Sequence, residues 1–428
     1  MIIIIAPPEK FSGELNIPGD KSITHRAAML GALARGVTEV RGYLDAEDCR
    51  STFSCLQSLG VKINGSGSRL LIEGRGMTLN QPSQSLEAGN SGTTARLLLG
   101  ILAGQPFSTT ITGDQSLQKR PMKRVIEPLR LMGAAVEGES DGKNLPLTIR
   151  GGNLQPLEYK SPRASAQVKS AILLAGLYAE GVTTVEEPYM SRNHTELMLS
   201  RFGADIEIEG CKVSLQGRPI LQGIQINIPG DISAAAFFMV AAAIIPGSEL
   251  LLKNVGVNPT RSGIIDVLNT MGAEIELKNK RDWGGEPVAD IMIRGGNRLK
   301  GTSFSGEKIP LLIDEIPVLA VAASVAEGKT VISGASELRV KESDRISALA
   351  GQLVKLGAGV EETEDGLIIE GKNALQGAEV ESCGDHRIAM ALAVAGLVAK
   401  GETAIHGAEA INISFPGFMP ALRSLVTK

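Results

Sequence analysis

The sequence predicts an α/β protein assembled from repeats, and three observations carry that prediction. The stretch Gly19 to Val40, GDKSITHRAAMLGALARGVTEV, returns in variant form near Gly89, Arg163, Gly230, Asp314 and Gly384. Each copy opens on polar or charged residues, runs into a small apolar helix, breaks at Gly or Pro and resumes as a β-rich strand, the alternation from which α/β layers are built. The copies stand about 70 residues apart and account for nearly the whole chain, and self-similarity at a fixed period marks a repeat architecture.

A chain of 428 residues with 43% hydrophobic residues buries a large core and is too long for one ordinary domain. The pentapeptide Asn16-Ile17-Pro18-Gly19-Asp20 recurs letter for letter as Asn227-Ile228-Pro229-Gly230-Asp231, at the heads of repeats one and four. It divides the repeats into two halves, with Pro and Gly where the chain can pass between domains.

Repeat one reads as a strand (Leu15 to Ile17), a helix (Ile23 to Leu33), a strand (Thr38 to Arg41), a second helix (Glu47 to Leu59) and strands Val61 to Asn64 and Arg69 to Glu73. The apolar positions Cys49, Phe53, Leu56 and Leu59 make the second helix amphipathic, and Gly60 stops it. Matching second helices are expected at Met122 to Met132, His194 to Phe202, Ser262 to Met271, Asp344 to Leu356 and Pro416 to Val426. Most end before a glycine, as a left-handed C-terminal cap requires. The first helices are rich in Ala, Leu and Gly on all faces, which predicts full burial among neighbours. Gly65 to Gly67 and Glu137 to Lys143 read as turns or loops.

The formal net charge of -4 and the single Trp283 argue against a nucleic-acid surface, which wants a basic stripe and stacking aromatics. Cys49, Cys55, Cys211 and Cys383 form no CxxC pair and read as small buried thiols. Ile2 to Ala6 reads as a first strand rather than a signal peptide, and Ala234 to Ile245 as a core helix rather than a membrane span. A cytoplasmic protein with small-molecule partners, no nucleic acid and no membrane is expected.

The basic residues carry the chemistry. Helix starts favour acidic side chains by roughly 0.3 to 1 kcal/mol, yet many here are basic or donor-rich. Lys21, Ser22 and Arg26 open repeat one; Asn90, Ser91, Gly92, Thr93 and Arg96 open repeat two. Lys119, Arg120, Lys123 and Arg124 enter its second helix, and Arg163, Ser165, Gln167, Lys169 and Arg192 follow in repeat three. Lys341 and Arg345 stand in repeat five and Arg387 in repeat six. Any one of them reads as well as a solvated cation; repeated against the local field, they point to bound anions such as phosphate or carboxylate.

The familiar nucleotide motifs fail. Gly19-Asp20-Lys21-Ser22 imitates the end of a P-loop, but Glu14 stands where the earlier glycine belongs. Gly65-Ser66-Gly67 and Gly74-Arg75-Gly76 lack the third glycine of the dinucleotide fingerprint. For proton transfer the candidates are Asp314 and Glu315, placed on the first helix of repeat five, and Glu342 beside Lys341. The run Lys341 to Arg345 equally describes a capped, salt-bridged helix start. His25, His194, His386 and His406 are too scattered to suggest a metal.

At these residues the chain resembles the 5-enolpyruvylshikimate 3-phosphate synthase family, almost from end to end. The matching motifs are Gly19-Asp20-Lys21-Ser22 with Arg26, Gly89-Asn90-Ser91-Gly92-Thr93 with Arg96, Arg120-Pro121-Met122, Ser165-Ala166-Gln167 and Ser191-Arg192. Asp314-Glu315, Arg339 to Arg345 and Asp385-His386-Arg387 complete them. The resemblance implies a two-domain inside-out α/β barrel of six βαβαββ repeats, three per domain. Repeats one to three, residues 20–229, would form one domain; residues 1–19 with 230–428 would form the other, with the active site in the interdomain cleft.

The implied reaction moves the enolpyruvyl group of phosphoenolpyruvate to the 5-hydroxyl of shikimate 3-phosphate and releases phosphate. By similarity, Lys21, Gly92, Arg120, Gln167, Arg345 and Arg387 hold phosphoenolpyruvate. Ser22, Arg26, Ser165, Gln167, Arg192, Asp314 and Lys341 hold shikimate 3-phosphate. Asp314, Glu342, Lys341 and Lys21 would be the catalytic set, with Asp314 taking the hydroxyl proton and Glu342 protonating the methylene. No metal or organic cofactor is implied, and a monomer is expected. Many relatives carry a lysine before the Ser-Phe-Pro near the end, where this chain has Ile413. The alternatives are the related transferase acting on UDP-N-acetylglucosamine, whose reactive cysteine has no counterpart between Gly113 and Arg120, and a non-catalytic anion-binding protein on the same scaffold.

Overall fold

The computed structural model describes residues 1–371 and 374–427. The chain forms two compact units: Gly19–Ile228 with Trp283–Glu286, and Met1–Pro18 with Pro229–Asp282 and Pro287–Lys428. Among the described residues twelve longer helices fall two to a repeat. In the first unit they are α1 (Lys21–Leu33), α2 (Glu47–Ser58), α3 (Gly92–Ala103), α4 (Lys123–Leu131), α5 (Ala166–Gly176) and α6 (His194–Arg201). In the second they are α7 (Ile232–Ile244), α8 (Gly263–Thr270), α9 (Ile316–Val325), α10 (Arg345–Lys355), α11 (His386–Gly396) and α12 (Phe418–Ser424).

Odd-numbered helices are the apolar ones, and they form the centre of each unit. Of α7, ISAAAFFMVAAAI, only Ala234 and Ile244 escape full burial. Helices α3 and α5 approach so closely that a Cβ on Gly100 would lie 2.3 Å from the Ala171 carbonyl oxygen. The even-numbered helices bury one face and end as expected. Gly60, Gly133, Gly203, Gly272 and Gly357 each follow a helix with φ between +80° and +105°, a backbone that only glycine takes without strain.

Among the described residues four sheets are four-stranded, each made of one parallel pair followed by an antiparallel hairpin, and a five-stranded, a three-stranded and a two-stranded sheet accompany them. Repeat two shows it undisturbed: Leu86–Glu87 lies parallel to Ser108–Thr112, which pairs antiparallel with Leu147–Arg150 and through it with Ala135–Gly138. The strand read as opening repeat one does not join that repeat's sheet. Lys10–Asn16 runs parallel to Glu249–Gly256 in repeat four, and Gln225–Asn227 takes the vacant parallel place beside Val37–Arg41. Among the described residues repeat six shows no closing hairpin of its own, and Ile2–Ile5 supplies its antiparallel strand with Ile2 opposite His406 and Ile5 opposite Thr403. The first residues thus complete two sheets of the second unit.

Three further expectations are corrected. Glu137 to Lys143 is not a plain loop, because Ala135–Gly138 is a strand and Glu139–Gly142 a helical turn. Asp314 and Glu315 precede α9 rather than lying on it, with Glu315 at its cap position. Of the four cysteines, all free thiols, Cys49 and Cys55 are buried but Cys211 is half-buried and Cys383 exposed. Among the described residues no helix is long and apolar enough to cross a membrane.

Candidate active-site residues

In the first unit the N-terminal ends of α1, α3 and α5 are bridged by side chains. Each helix is capped by its own sequence: Asp20 accepts from the Ile23 amide, Ser91 from Thr94 and Ser165 from Val168. Three helix ends with their partial positive charge therefore meet cationic side chains, a field suited to an anion.

Lys21 opens α1 and its Nζ lies 2.9 Å from Oδ2 of Asp48, in the acidic first turn of α2. Arg26, one turn on, is only 4% exposed and braces three helices. Its Nε donates to Thr195 Oγ1 at 2.6 Å, Nη2 to Ser170 Oγ at 2.8 Å and Nη1 to the Ser22 carbonyl at 3.0 Å. Arg192 reaches the same place from the loop before α6, with Nη1 3.5 Å from Ser22 Oγ.

On α3, Arg96 donates from Nη1 to Gln167 Oε1 at 2.6 Å and from Nη2 to the Pro121 carbonyl at 3.2 Å. Gln167 in turn donates to Thr93 Oγ1 at 3.1 Å. Arg120 donates to Asn90 Oδ1 and, at 3.3 Å, to Ser116 Oγ. Gly92 stands between the two arginines: a Cβ there would lie 3.0 Å from Arg96 Nη1 and 3.5 Å from Arg120 Nη1. Both guanidinium groups therefore flank a stretch of bare backbone at a helix start.

Behind this surface His25 is fully buried and shares a 2.7 Å hydrogen bond between Nδ1 and Thr52 Oγ1, which continues through Thr94 to Ser91. Burial, then the charges of Lys21 and Arg26, hold its pKa well below the usual histidine range, so the ring is neutral.

In the second unit the corresponding residues surround Arg345, the first residue of α10 and 1% exposed. Its Nε donates to Asp385 Oδ2 at 2.7 Å, Nη1 to Asp314 Oδ1 at 3.2 Å and Nη2 to Glu342 Oε2 at 2.6 Å. Burial works against the charge, but Asp385, Glu342 and Asp314 more than offset it and raise the pKa. Arg387 holds Asp314 from the other side, with Nη2 3.4 Å from Oδ2 and Nη1 donating to the carbonyl at 3.2 Å. Asp385 also caps α11 by accepting from the Arg387 amide. Lys341, half-buried, ends the short 3-10 turn Ser336–Val340.

The capped, salt-bridged helix start read in the run Lys341 to Arg345 is present. Asp344 caps α10 and pairs with Arg339 at 2.8 Å, while Glu342 faces Arg345. Asp314 and Glu315 part company: Glu315, 1% exposed, accepts from Ser233, which also accepts from Arg261. It belongs to a packed cluster under α7 and not with Asp314.

Lys169 is corrected as an anion receptor. Its Nζ lies 2.8 Å from both Glu187 and Glu196, with its side chain 5% exposed. Burial would lower its pKa, but Glu196 and Glu187 outweigh that and raise it. Reading the sequence alone missed Asp48, Asp385, Thr195 and Ser170 as partners of the cationic residues. Asp48 and Asp385 carried a signal, as acidic residues at helix starts, and Asp385 stood in one of the matching motifs, whereas Thr195 and Ser170 carried none. His194 pairs with Glu286 at 2.7 Å and His406 with Glu379 at 3.6 Å.

The family model for EPSP synthase (3-phosphoshikimate 1-carboxyvinyltransferase) matches residues 5–422. A 3-phosphoshikimate 1-carboxyvinyltransferase of Pelotomaculum thermopropionicum is 58% identical over 97% of this chain and 96% of its own length. The one from Desulforamulus reducens is 55% identical over all of both chains. Among solved structures, EPSP synthase from Acinetobacter baumannii superposes with a TM-score of 0.88 at 48% identity, covering 99% of this chain and 98% of that one. Motifs, repeat architecture and full-length similarity agree, and the chain belongs to the EPSP synthase family.

Proposed function

We propose that the protein transfers the enolpyruvyl group of phosphoenolpyruvate to the 5-hydroxyl of shikimate 3-phosphate, releasing inorganic phosphate. The observation that carries the reading is the set of bridged helix starts of α1, α3 and α5, where Arg96 and Arg120 flank the bare backbone of Gly92 while Lys21 opens α1 and Arg192 reaches Ser22 beside it.

In this reading Lys21, Gly92, Arg120 and Gln167 bind phosphoenolpyruvate together with Arg345 and Arg387. Ser22, Arg26, Ser165, Gln167 and Arg192 bind shikimate 3-phosphate together with Asp314 and Lys341. Glu342 donates a proton to the methylene carbon, leaving cationic character at the neighbouring carbon. The 5-hydroxyl oxygen bonds to that carbon while Asp314 accepts the hydroxyl proton. The tetrahedral adduct then returns a proton from its new methyl group to the Glu342 carboxylate as the carbon–phosphate oxygen bond breaks, restoring the double bond. Lys and Arg side chains stabilise the departing phosphate electrostatically.

The residues of both units are proposed to serve one reaction, in the cytoplasm, with the protein acting as a monomer. Phosphate release from phosphoenolpyruvate tests the assignment. We expect it with shikimate 3-phosphate and not with UDP-N-acetylglucosamine. The reverse result identifies the related transferase, and release with neither leaves an anion-binding protein.

A further inference from the structure

We infer that Glu187, neutralised by Lys169, is a positioning residue that sets the shikimate 3-phosphate half of the site before substrate arrives. The inference rests on the function proposed above. It stands on one buried carboxylate that ties together two segments far apart in sequence.

Glu187 lies just after the strand Val182–Glu186 and is 4% exposed. Its Oε1 accepts from the Ser165 backbone N–H at 2.6 Å, and its Oε2 accepts from Ser191 Oγ, also at 2.6 Å. Ser165 caps α5 with its hydroxyl, so holding its amide fixes the residue from both sides. Ser191 immediately precedes Arg192, the residue that reaches Ser22 on α1. One side chain thus anchors the backbone under Ser165 and under Arg192, the two places where repeat three is proposed to meet the phosphorylated substrate.

The charge is needed because of what the oxygens face. Lys169 Nζ sits 2.8 Å from Oε2, with Glu196 on its other flank at 2.8 Å, and it comes within 3.5 Å of the Ser191 carbonyl. A carboxylate offers acceptors at both ends, whereas an amide offers one acceptor and one donor. A glutamine here turns its NH2 either toward the Ser165 amide or toward the Lys169 ammonium, donor against donor in a buried site. Lys169, which resembles an anion-binding cation in the sequence, acts through Glu187 instead.

The test is steady-state kinetics of Glu187→Gln with amide hydrogen exchange. In the wild-type enzyme the Ser165 amide should exchange slowly without any ligand. Glu187→Gln should lose that protection and raise KM for shikimate 3-phosphate tenfold or more, leaving kcat and KM for phosphoenolpyruvate within about threefold. Glu187→Asp, which keeps both acceptors, should recover part of the loss. Equal losses for both substrates, or no change in a folded variant, overturn the inference. Should Glu187→Gln not fold, fast exchange of the Ser165 amide in the ligand-free wild type does the same. A wild-type enzyme inactive toward shikimate 3-phosphate instead overturns the reaction assignment on which this rests.

Discussion

Single residues in this protein act through what they leave room for as much as through what they touch. Gly92→Ala places a methyl 3.0 Å from Arg96 Nη1, closer than side chains ordinarily approach. The guanidinium groups are mobile ends and yield by a few tenths of an ångström, while alanine suits the helix start. We therefore expect a folded enzyme whose KM for phosphoenolpyruvate rises about tenfold with that for shikimate 3-phosphate unchanged, read by steady-state kinetics. His25 gives a second prediction. Its pKa is held low in the fold, while an unfolded chain takes up the proton below about pH 6.5. Stability is thus full above that pH and declines as the pH falls toward the native value, by at most about 1.4 kcal/mol per pH unit. Urea unfolding of wild type between pH 7.5 and 5.5 should show the slope, and His25→Asn should flatten it. Such effects were invisible in the sequence: nothing in the spacing of His25, Thr52 and Thr94 announces that they meet, and Lys169 has the same letter whether it faces a ligand or two glutamates.

Elements were more legible than their neighbours. Five of the second helices end two residues before the glycine that predicted their stop, because the left-handed cap is a local requirement of the backbone. Full burial of the first helices also followed from composition, since a helix apolar on every side has no face for water. The repeat pattern alone put a strand, Leu15 to Ile17, at the head of repeat one, because local pattern defines a strand but not its partner; the strand formed is Lys10–Asn16 and its partner lies in repeat four, the half to which the family resemblance assigned these residues. Packing supplies the prediction at this scale. Phe238 on α7 meets Phe418 of α12 at 5.4 Å between ring centres and Phe415 at 6.1 Å. Phe238→Ala should cost about 3–5 kcal/mol, seen as a lower urea midpoint with the substrate KM values of the surviving folded enzyme little altered.

For the molecule as a whole, the proposal that residues of both units serve one reaction makes a paired prediction. Arg120→Ala in one unit and Asp314→Asn in the other should each reduce kcat/KM in the folded enzyme, the latter by about 10²–10⁴ through kcat, with Asp314→Asn also lowering the urea midpoint because it leaves Arg345 and Arg387 short of a buried carboxylate. An Asp314→Asn enzyme with undiminished turnover removes that residue from proton transfer. The pairing of the first strands has a separate consequence, for the order in which a ribosome delivers the parts. Ile2–Ile5 and Lys10–Asn16 emerge first, yet their partners Thr403–His406 and Glu249–Gly256 follow only after Gly19–Ile228 has been made. At about 5–20 residues per second, the earliest segment waits roughly ten seconds or more for its first partner and longer for the second. That segment carries four consecutive isoleucines, so the nascent chain holds an apolar strand unclaimed through most of translation, and a crowded or chaperone-poor cell would lower the yield of this protein at that stage.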